Sequence, residues 1–357
     1  MIPVSVITGF LGSGKTTLLG RLLRDPGMHR TAVIINEFGE IGLDHDLVET
    51  SDESFIQLFN GCLCCNVRGD LVLTLGDLAV RRAAGTVPPF ERVVIETTGL
   101  ADPAPILHAL MTDRAVSEVY ALDGVVTTVD AVNGAATLDA HEESVRQAAV
   151  ADRIVLTKTD LPVADPAGLI ARLARLNPAA SVLTAGTGGI SPASLFDAGL
   201  YDPSGKGADV QAWLAHEAHT LAGGHDHSHH REAMGTFSLV RDHPLHSVTL
   251  ALFLAALAEN CGADLLRMKG IVHVVEDPDR PAVVHGVQHV YHAPVWLPRW
   301  PSADRRTRMV FIGRNLRRSW FEGLLDVLQS EVAEETALRA ARSTSPRESP
   351  RPRPDSQ

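Results

Sequence analysis

The stretch "GFLGSGKT", from Gly9 to Thr16, constrains the fold of this chain more than any other segment. It matches the pattern G-x-x-x-x-G-K-[ST] at every fixed position, after an apolar β-branched run and before a helical pattern. A glycine-rich turn that opens a helix is the alternative interpretation. The motif in this setting predicts a strand, a phosphate-binding loop and a helix, in that order.

The residue types of this loop suit the phosphates of a nucleotide. Glycines permit backbone angles and close approaches that side chains would block, so the loop N–H groups and the helix N-terminus can face the phosphates. Lys15 would bring a positive charge to the β and γ phosphates, and Thr16 would offer a hydroxyl to Mg²⁺. The residues that we assign to this part of the nucleotide site are Gly9, Gly12, Ser13, Gly14, Lys15, Thr16 and Thr17.

Short β-branched runs alternate with helical patterns over the first half of the chain. This alternation predicts an α/β domain with a mostly parallel sheet covered by helices on both faces. The predicted strands are 3–8, 31–36, 54–59, 92–97, 124–130, 153–158 and 180–185. Further strands at 235–241, 270–276, 282–291 and 308–314, with helices at 245–262 and 317–330, predict a smaller α+β domain. We place the first domain at 1–220, a His-rich linker at 221–233, the second domain at 234–332 and a disordered tail at 333–357.

Charge and hydropathy exclude two classes of protein. The net charge of −11 argues against a general nucleic-acid binder, which needs a basic face to meet phosphates. No apolar run approaches the roughly 18 residues of a membrane span, and "MIPVSVITGF" has the pattern of a first strand rather than of a signal peptide. These features favour a cytoplasmic protein. In that reducing compartment, clustered cysteines bind metal or do redox work more readily than they form disulfides.

The segment "TKTD", Thr157 to Asp160, follows a predicted strand where a guanine-specificity motif of the N-K-x-D type would lie. The Asp160 carboxylate could accept hydrogens from the ring nitrogen and the exocyclic amine of guanine, which adenine does not offer together. The Lys158 stem would pack along the base, and Thr157 stands in place of the usual Asn. A solvated turn is the alternative interpretation. We favour GTP as the nucleotide.

The strand "RVVIE" ends in Glu96, and Gly99 follows shortly after it. An acidic residue at such a strand end reaches the water shell of Mg²⁺, and a nearby glycine can contact the γ-phosphate. Glu96 would hold a water of the metal or orient the attacking water, and a solvent-facing carboxylate is the alternative. Because neither a catalytic Gln nor an arginine can be assigned, we expect slow intrinsic turnover.

Two segments between these motifs carry metal-ligating residue types. "NEFGEIGLDHD" (36–46) is an acidic loop, and its carboxylates could add to Mg²⁺ coordination, bind a second metal or be solvated. "NGCLCCN" (60–66) holds three of the four cysteines of the chain within four positions.

Taken together, the segments resemble the CobW-like GTPases. The resemblance rests on "TGFLGSGKTTLL", "NEFGEIGLD", "NGCLCC", "ERVVIETTGLADP" and "TKTD", and later on "LLRMKGIV", "HGVQHVY" and "VFIGR". It implies a GTPase domain followed by a CobW-like C-terminal domain, in a metal-handling protein similar to those that insert metals into hydrogenase and urease. It also implies that Cys62, Cys64 and Cys65 are thiolate ligands of zinc or a related metal, and that metal loading depends on nucleotide state.

The chemistry of the residues agrees with this resemblance. Thiolates suit Zn²⁺, Cu⁺ or Co²⁺, and three of them leave a coordination position open for an exchangeable partner. Glu40 is our candidate for an auxiliary ligand. Three buried small side chains, or a redox pair, remain the alternatives for the cysteines. The imidazoles of His225, His227, His229 and His230 suit the same metals, and a solvated polar linker is their alternative interpretation.

The leading hypothesis is a GTP-hydrolysing, Mg²⁺-dependent metallochaperone that delivers zinc, or cobalt, to a client metalloprotein. A P-loop ATPase or small-molecule kinase is a second hypothesis, and a passive zinc-storage protein is a third. Neither nucleic acid nor membrane is an expected partner, and an oligomeric assembly is compatible with each hypothesis.

Overall fold

The computed structural model describes residues 1–36, 55–60, 67–162, 165–186, 190–196 and 234–344. Within these ranges, seven strands form one parallel sheet in the order β3-β2-β4-β1-β5-β6-β7. The strands are β1 (Ile2–Gly9), β2 (Thr31–Asn36), β3 (Phe55–Asn60), β4 (Arg92–Glu96), β5 (Tyr120–Asp130), β6 (Arg153–Thr157) and β7 (Ser181–Thr184). The predicted parallel sheet is therefore confirmed, with shifts at the strand ends.

Helices cover both faces of this sheet. They are α1 (Lys15–Leu22), α2 (Val67–Ala83), α3 (Ala104–Thr112), α4 (Arg114–Ser117), α5 (Gly134–Ala140), α6 (Glu142–Val150), α7 (Pro166–Leu176) and α8 (Pro192–Leu195). Helices α2, α3 and α6 pack on the face that carries Val4 and Val6, while α1 packs on the face that carries Ile7. Because β1, β4 and β6 are buried on both faces, these strands are nearly continuous apolar runs.

The C-terminal unit is an antiparallel sheet with two helices on one face. Its elements are β8 (Met234–Arg241), α9 (Ser247–Cys261), β9 (Leu265–Val274), β10 (Asp277–Val287), β11 (Val290–Tyr291), β12 (Val295–Trp296), β13 (Thr307–Arg314) and α10 (Arg318–Thr344). The order is β11-β10-β9-β13-β8, and β12 pairs with β10. The predicted α+β class is confirmed. The strand predicted at 282–291 is in fact a hairpin, in which Val287 pairs with Val290 around Gln288 at φ 53°.

The second face of the C-terminal sheet packs against the parallel-sheet unit. Leu266, Val310 and Ile312 belong to the same buried cluster as Ala149 and Val150 of α6. Along β9, Met268 and Val272 point to the helices of their own unit, so the alternate residues Arg267 and Lys269 face the other way, toward Asp152. This alternation gives the two units one continuous core.

Helix α10 corrects the predicted tail boundary. We expected disorder from residue 333, but the helix continues to Thr344. The segment 331–344 is rich in Ala, Glu, Leu and Arg, which favour helix, and Arg339 pairs with Glu335 one turn away. No helix in the described ranges, α10 included, combines the length and apolarity that a membrane span needs.

Candidate functional site

The loop between β1 and α1 has a backbone that requires glycine. Gly9, Gly12 and Gly14 have φ values of 143°, 70° and 89°, in the left-handed region that side chains disfavour. A Cβ at Gly9 would lie 2.3 Å from Thr128 Oγ1, so this position also excludes a side chain by contact. The loop therefore has the backbone conformation that the motif predicted.

Lys15 and Thr17 occupy the first turn of α1 at different depths. The Lys15 side chain is buried and bends back over the loop, where Nζ donates to the carbonyl oxygens of Gly9 (2.9 Å) and Phe10 (3.2 Å). Thr17 is exposed on the same turn. The ammonium group therefore lies at the loop itself, beside the backbone that would surround a phosphate.

Thr16 and Glu96 meet although eighty residues separate them. Strands β1 and β4 are neighbours in the sheet, with Ile7 opposite Glu96, so the end of β4 lies beside the start of α1. Thr16 Oγ1 donates to Glu96 Oε1 at 2.6 Å, and Glu96 is only 4% exposed. The hydroxyl and the carboxylate therefore place two oxygen atoms close together, and oxygen atoms are the ligands that Mg²⁺ prefers.

The loop after β4 packs directly against the phosphate loop. Gly99 is buried, and a Cβ there would lie 2.6 Å from the backbone nitrogen of Leu11. Thr97 Oγ1 donates to Thr8 Oγ1 at 2.8 Å, which fixes the start of the same loop to β1. Gly99 is thus held at van der Waals distance from the phosphate loop, where only glycine fits.

The end of β6 joins the phosphate loop through Thr157. Its hydroxyl donates to the carbonyl oxygen of Ser13 at 2.6 Å, so the residue that replaces the usual Asn ties the two loops together. Lys158 adopts φ 56° and its Nζ contacts Asp130 Oδ2 at 2.7 Å, whereas Asp160 is exposed beyond the turn. Of the three residues of "TKTD" that we predicted to recognise a base, Thr157 contacts the phosphate loop and Lys158 contacts Asp130.

Asp130 holds Lys158 in a fixed place. Partial burial would raise the pKa of this carboxyl, but hydrogen bonds from Lys158, from Asn133 and from the Val132 backbone lower it below its ordinary value. The group therefore stays ionised near neutral pH. Its Oδ2 accepts from the Lys158 ammonium at 2.7 Å.

Sequence reasoning missed three residues of this region. Asp130 ends β5 as Glu96 ends β4, so the same strand-end signal could have identified it. Thr128 shares a 2.6 Å hydrogen bond between hydroxyls with Ser13, which was predicted, and no local sequence pattern indicates this contact. Gln147 is fully buried on α6 and donates to the carbonyl oxygens of Gly99 and Ala101. Its only signal is a polar side chain on the buried face of a helix.

The predicted transition-metal ligands lie outside the described residues. They are Glu40, Cys62, Cys64, Cys65, His225, His227, His229 and His230. Among the residues that are described, no three His, Cys, Asp or Glu side chains come together as a metal site. The described part of the chain therefore includes the residues predicted to bind the nucleotide, and not those predicted to bind a transition metal.

Comparison with known proteins matches the two units to two family descriptions. Residues 3–184 match the CobW/HypB/UreG nucleotide-binding domain, and residues 234–329 match the cobalamin synthesis protein CobW C-terminal domain. The zinc chaperone YjiA of Escherichia coli K12 is 33% identical over 329 residues, covering 90% of this chain and 98% of the relative. The zinc chaperone CobW of a Sinorhizobium species is 31% identical over 350 residues, covering 87% and 92%.

A solved structure agrees with these matches in three dimensions. The Zn(II)-bound YjiA GTPase of Escherichia coli superimposes with a TM-score of 0.66 at 28% identity, over 92% of this chain and 98% of that protein. The superposition covers 92% of this chain, which is more than either unit alone, so the likeness extends across both units.

Proposed function

The chain belongs to the CobW family of nucleotide-binding proteins, and from this membership we propose that it is a GTP-hydrolysing metallochaperone that carries zinc to an acceptor protein. It matches two relatives over nearly their whole length, and both are named as zinc chaperones. A structural neighbour is named as a GTPase. We further propose that it acts in the cytoplasm on a client metalloprotein.

The 2.6 Å contact between Thr16 and the buried Glu96 is the observation that best supports a hydrolase. These two oxygens would hold Mg²⁺, Thr16 as a direct ligand and Glu96 through a water. The metal, when bound, would neutralise charge on the transferred phosphate. Glu96 could instead orient the attacking water, since its carboxylate lies at the end of β4 beside the phosphate loop.

The other residues of the loop would bind and orient the nucleotide. Lys15 would exchange its bonds to Gly9 and Phe10 for bonds to the β and γ phosphates, because the charged oxygens are stronger acceptors than neutral carbonyls. The N–H groups of the glycine-rich loop would face the same oxygens. Gly99 would contact the γ-phosphate, since it packs on Leu11 of the phosphate loop.

Guanine selection is proposed for "TKTD". Asp130 orders the stem of Lys158 for packing on a base, and Asp160 is exposed and available for the two donors of guanine. Thr157, through its bond to Ser13, keeps this recognition loop at a fixed distance from the phosphates.

Zinc is the proposed cargo, with cobalt as a second candidate. The three cysteines follow β3 and precede α2 in the sequence; they are Cys62, Cys64 and Cys65. In chain order they therefore come after β2 and before β4, the strand that ends in Glu96. Three thiolates leave one coordination position for a ligand of the acceptor protein, which suits transfer better than storage. Glu40 is proposed as an auxiliary ligand, and the linker histidines as a weaker collecting site.

Turnover of GTP, with and without Mg²⁺ and with one equivalent of Zn²⁺ or Co²⁺, tests the proposal. We expect slow, Mg²⁺-dependent GTP hydrolysis whose rate changes on metal loading, and little hydrolysis of ATP. Equal hydrolysis of ATP would favour a metabolic ATPase or kinase. A rate that zinc leaves unchanged would contradict the coupling of the two sites.

A further inference from the structure

Helix α6 holds the loop that follows β4. Gln147, wholly buried on this helix, donates from Nε2 to the carbonyl oxygens of Gly99 (3.2 Å) and Ala101 (3.0 Å). The preceding residue, Arg146, bonds Asp102 Oδ2 at 3.3 Å. Two consecutive residues of one helix therefore contact three positions of the segment 99–102.

The same helix is attached to the C-terminal unit at both ends and along one side. Glu142, in its first turn, pairs with Arg314 at the end of β13. Asp152, just beyond its last turn, pairs with Arg267 and Lys269 of β9. Between these ends, α6 packs against β9 through the shared core. A change in the position of the C-terminal sheet would therefore act on α6 directly.

Further bonds hold the last turn of α6 together and tie Gln147 to β5. The Asn177 side-chain amide lies 2.9 to 3.0 Å from the carbonyl oxygens of Ala148, Ala149 and Ala151, and so closes the last turn of the helix. Thr127 Oγ1 donates to the Gln147 carbonyl oxygen at 2.7 Å. The turn between Gln147 and Asp152 is therefore closed, so a displacement of Asp152 would act on Gln147 against the restraint of the Thr127 bond instead of being absorbed by fraying.

The loop that Gln147 holds has no room to move independently of the phosphate loop. Gly99 already lies at contact distance from Leu11, and close-packed interiors transmit small displacements. Catalysis by positioned groups is sensitive to shifts of about 1 Å, which can change rates by about a hundredfold. A small rotation of α6 would therefore alter the geometry at the γ-phosphate.

We propose that α6 transmits the position of the C-terminal unit to the GTP site, and that Gln147 is the positioning residue through which it acts. The inference rests on the proposed GTPase function, because the 99–102 loop is assigned to the γ-phosphate there. In this scheme an acceptor protein that binds the C-terminal unit changes the rate of hydrolysis without touching the nucleotide.

The test compares three variants with the wild type, each checked for folding by its thermal melting temperature. Gln147→Met keeps the length of the side chain, adds no charge and removes the donor. Arg314→Gln removes the contact of the C-terminal unit with Glu142. Arg241→Gln is the matched control, since it makes the same charge change on the same unit but breaks an ion pair with Asp326 of α10. If Gln147→Met does not fold, Arg146→Gln replaces it.

We expect Gln147→Met to lower the kcat of GTP hydrolysis about tenfold, the size of a lost pair of hydrogen bonds, and to weaken binding of a non-hydrolysable GTP analogue. Affinity for GDP should stay within about twofold of wild type, because GDP lacks the phosphate that this loop contacts. Arg314→Gln should lower kcat about two- to threefold, and Arg241→Gln should leave it unchanged.

Three results would overturn the inference. They are an unchanged kcat in Gln147→Met, an equal loss of GDP and GTP-analogue affinity in that variant, and equal effects of Arg314→Gln and Arg241→Gln. A wild type that hydrolyses no GTP would instead refute the proposed function, so the two failures are distinguishable.

Discussion

Replacing Asp152 with Asn should destabilise the protein by about 3–5 kcal/mol, the usual cost of removing one member of a buried ion pair. Asp152 Oδ1 accepts from Lys269 Nζ at 2.6 Å and from Arg267 Nη2, and its Oδ2 accepts from the Val125 backbone at 2.8 Å. Arg267 is 2% exposed, so Asn would leave a guanidinium buried without its counter-charge. The two units share one core here, so the loss should destabilise them together.

Urea denaturation followed by tryptophan fluorescence measures this cost. Asp326→Asn is the control, because Asp326 also pairs with an arginine but its side chain is 67% exposed, and we expect it to cost about 0–1 kcal/mol. If Asp152→Asn costs no more than the control, the buried network is not what holds the C-terminal unit on α6, and the reasoning fails.

The pH dependence provides a second check on Asp152. Burial alone would raise the pKa of this carboxyl, but the charges of Arg267 and Lys269 outweigh it and hold the pKa well below its usual range. A depressed folded-state pKa gives stability that is complete above the unfolded value of about 3.9 and is lost as the pH falls through the folded value. The difference between wild type and Asp152→Asn should therefore be constant from about pH 5 to 8 and shrink in acid.

Three further predictions concern the nucleotide and metal sites. Lys15→Ala should abolish GTP hydrolysis while the circular dichroism spectrum stays that of the wild type, and turnover near wild type would contradict the role of this lysine. Asp160→Asn should weaken guanine nucleotides and favour xanthine nucleotides, whereas a wild type that binds ATP as tightly as GTP would refute the guanine assignment. Replacing the four histidines of 225–230 with Ser should lower the number of weakly bound zinc ions at unchanged GTP turnover, and unchanged uptake would make the tract a plain linker.

The parallel sheet and the phosphate loop were predictable because their signals are local. The β-branched runs gave every strand of that sheet within the described ranges, and the motif around Gly9 to Thr16 set the loop conformation. The extent of α10 was less predictable. The residues after 332 have few apolar side chains, and this scarcity predicts disorder. They also have strong helix propensity, which agrees with the observed helix.

The contacts that join the units were not predictable from local patterns. Nothing in the sequence near Gln147 indicates Gly99, and nothing near Asp152 indicates Arg267 more than a hundred residues later. The positions of a buried arginine and a partly buried lysine on β9 are explained only by the packing of alternate residues of this strand against another unit. Such long-range partners depend on how elements pack, which short-range periodicity does not encode.

The most direct test of a GTP-driven zinc chaperone is the zinc affinity of the wild type in two states, with GDP and with a non-hydrolysable GTP analogue. Competition with a chromophoric chelator would measure it, and a variant with Cys62, Cys64 and Cys65 changed to Ser identifies the site. We predict that the two nucleotide states differ about 5- to 150-fold in zinc affinity, equivalent to a coupling of about 1–3 kcal/mol, and that the triple variant loses the tight site. Equal zinc affinity in both states, or tight binding that survives in the triple variant, would contradict the account.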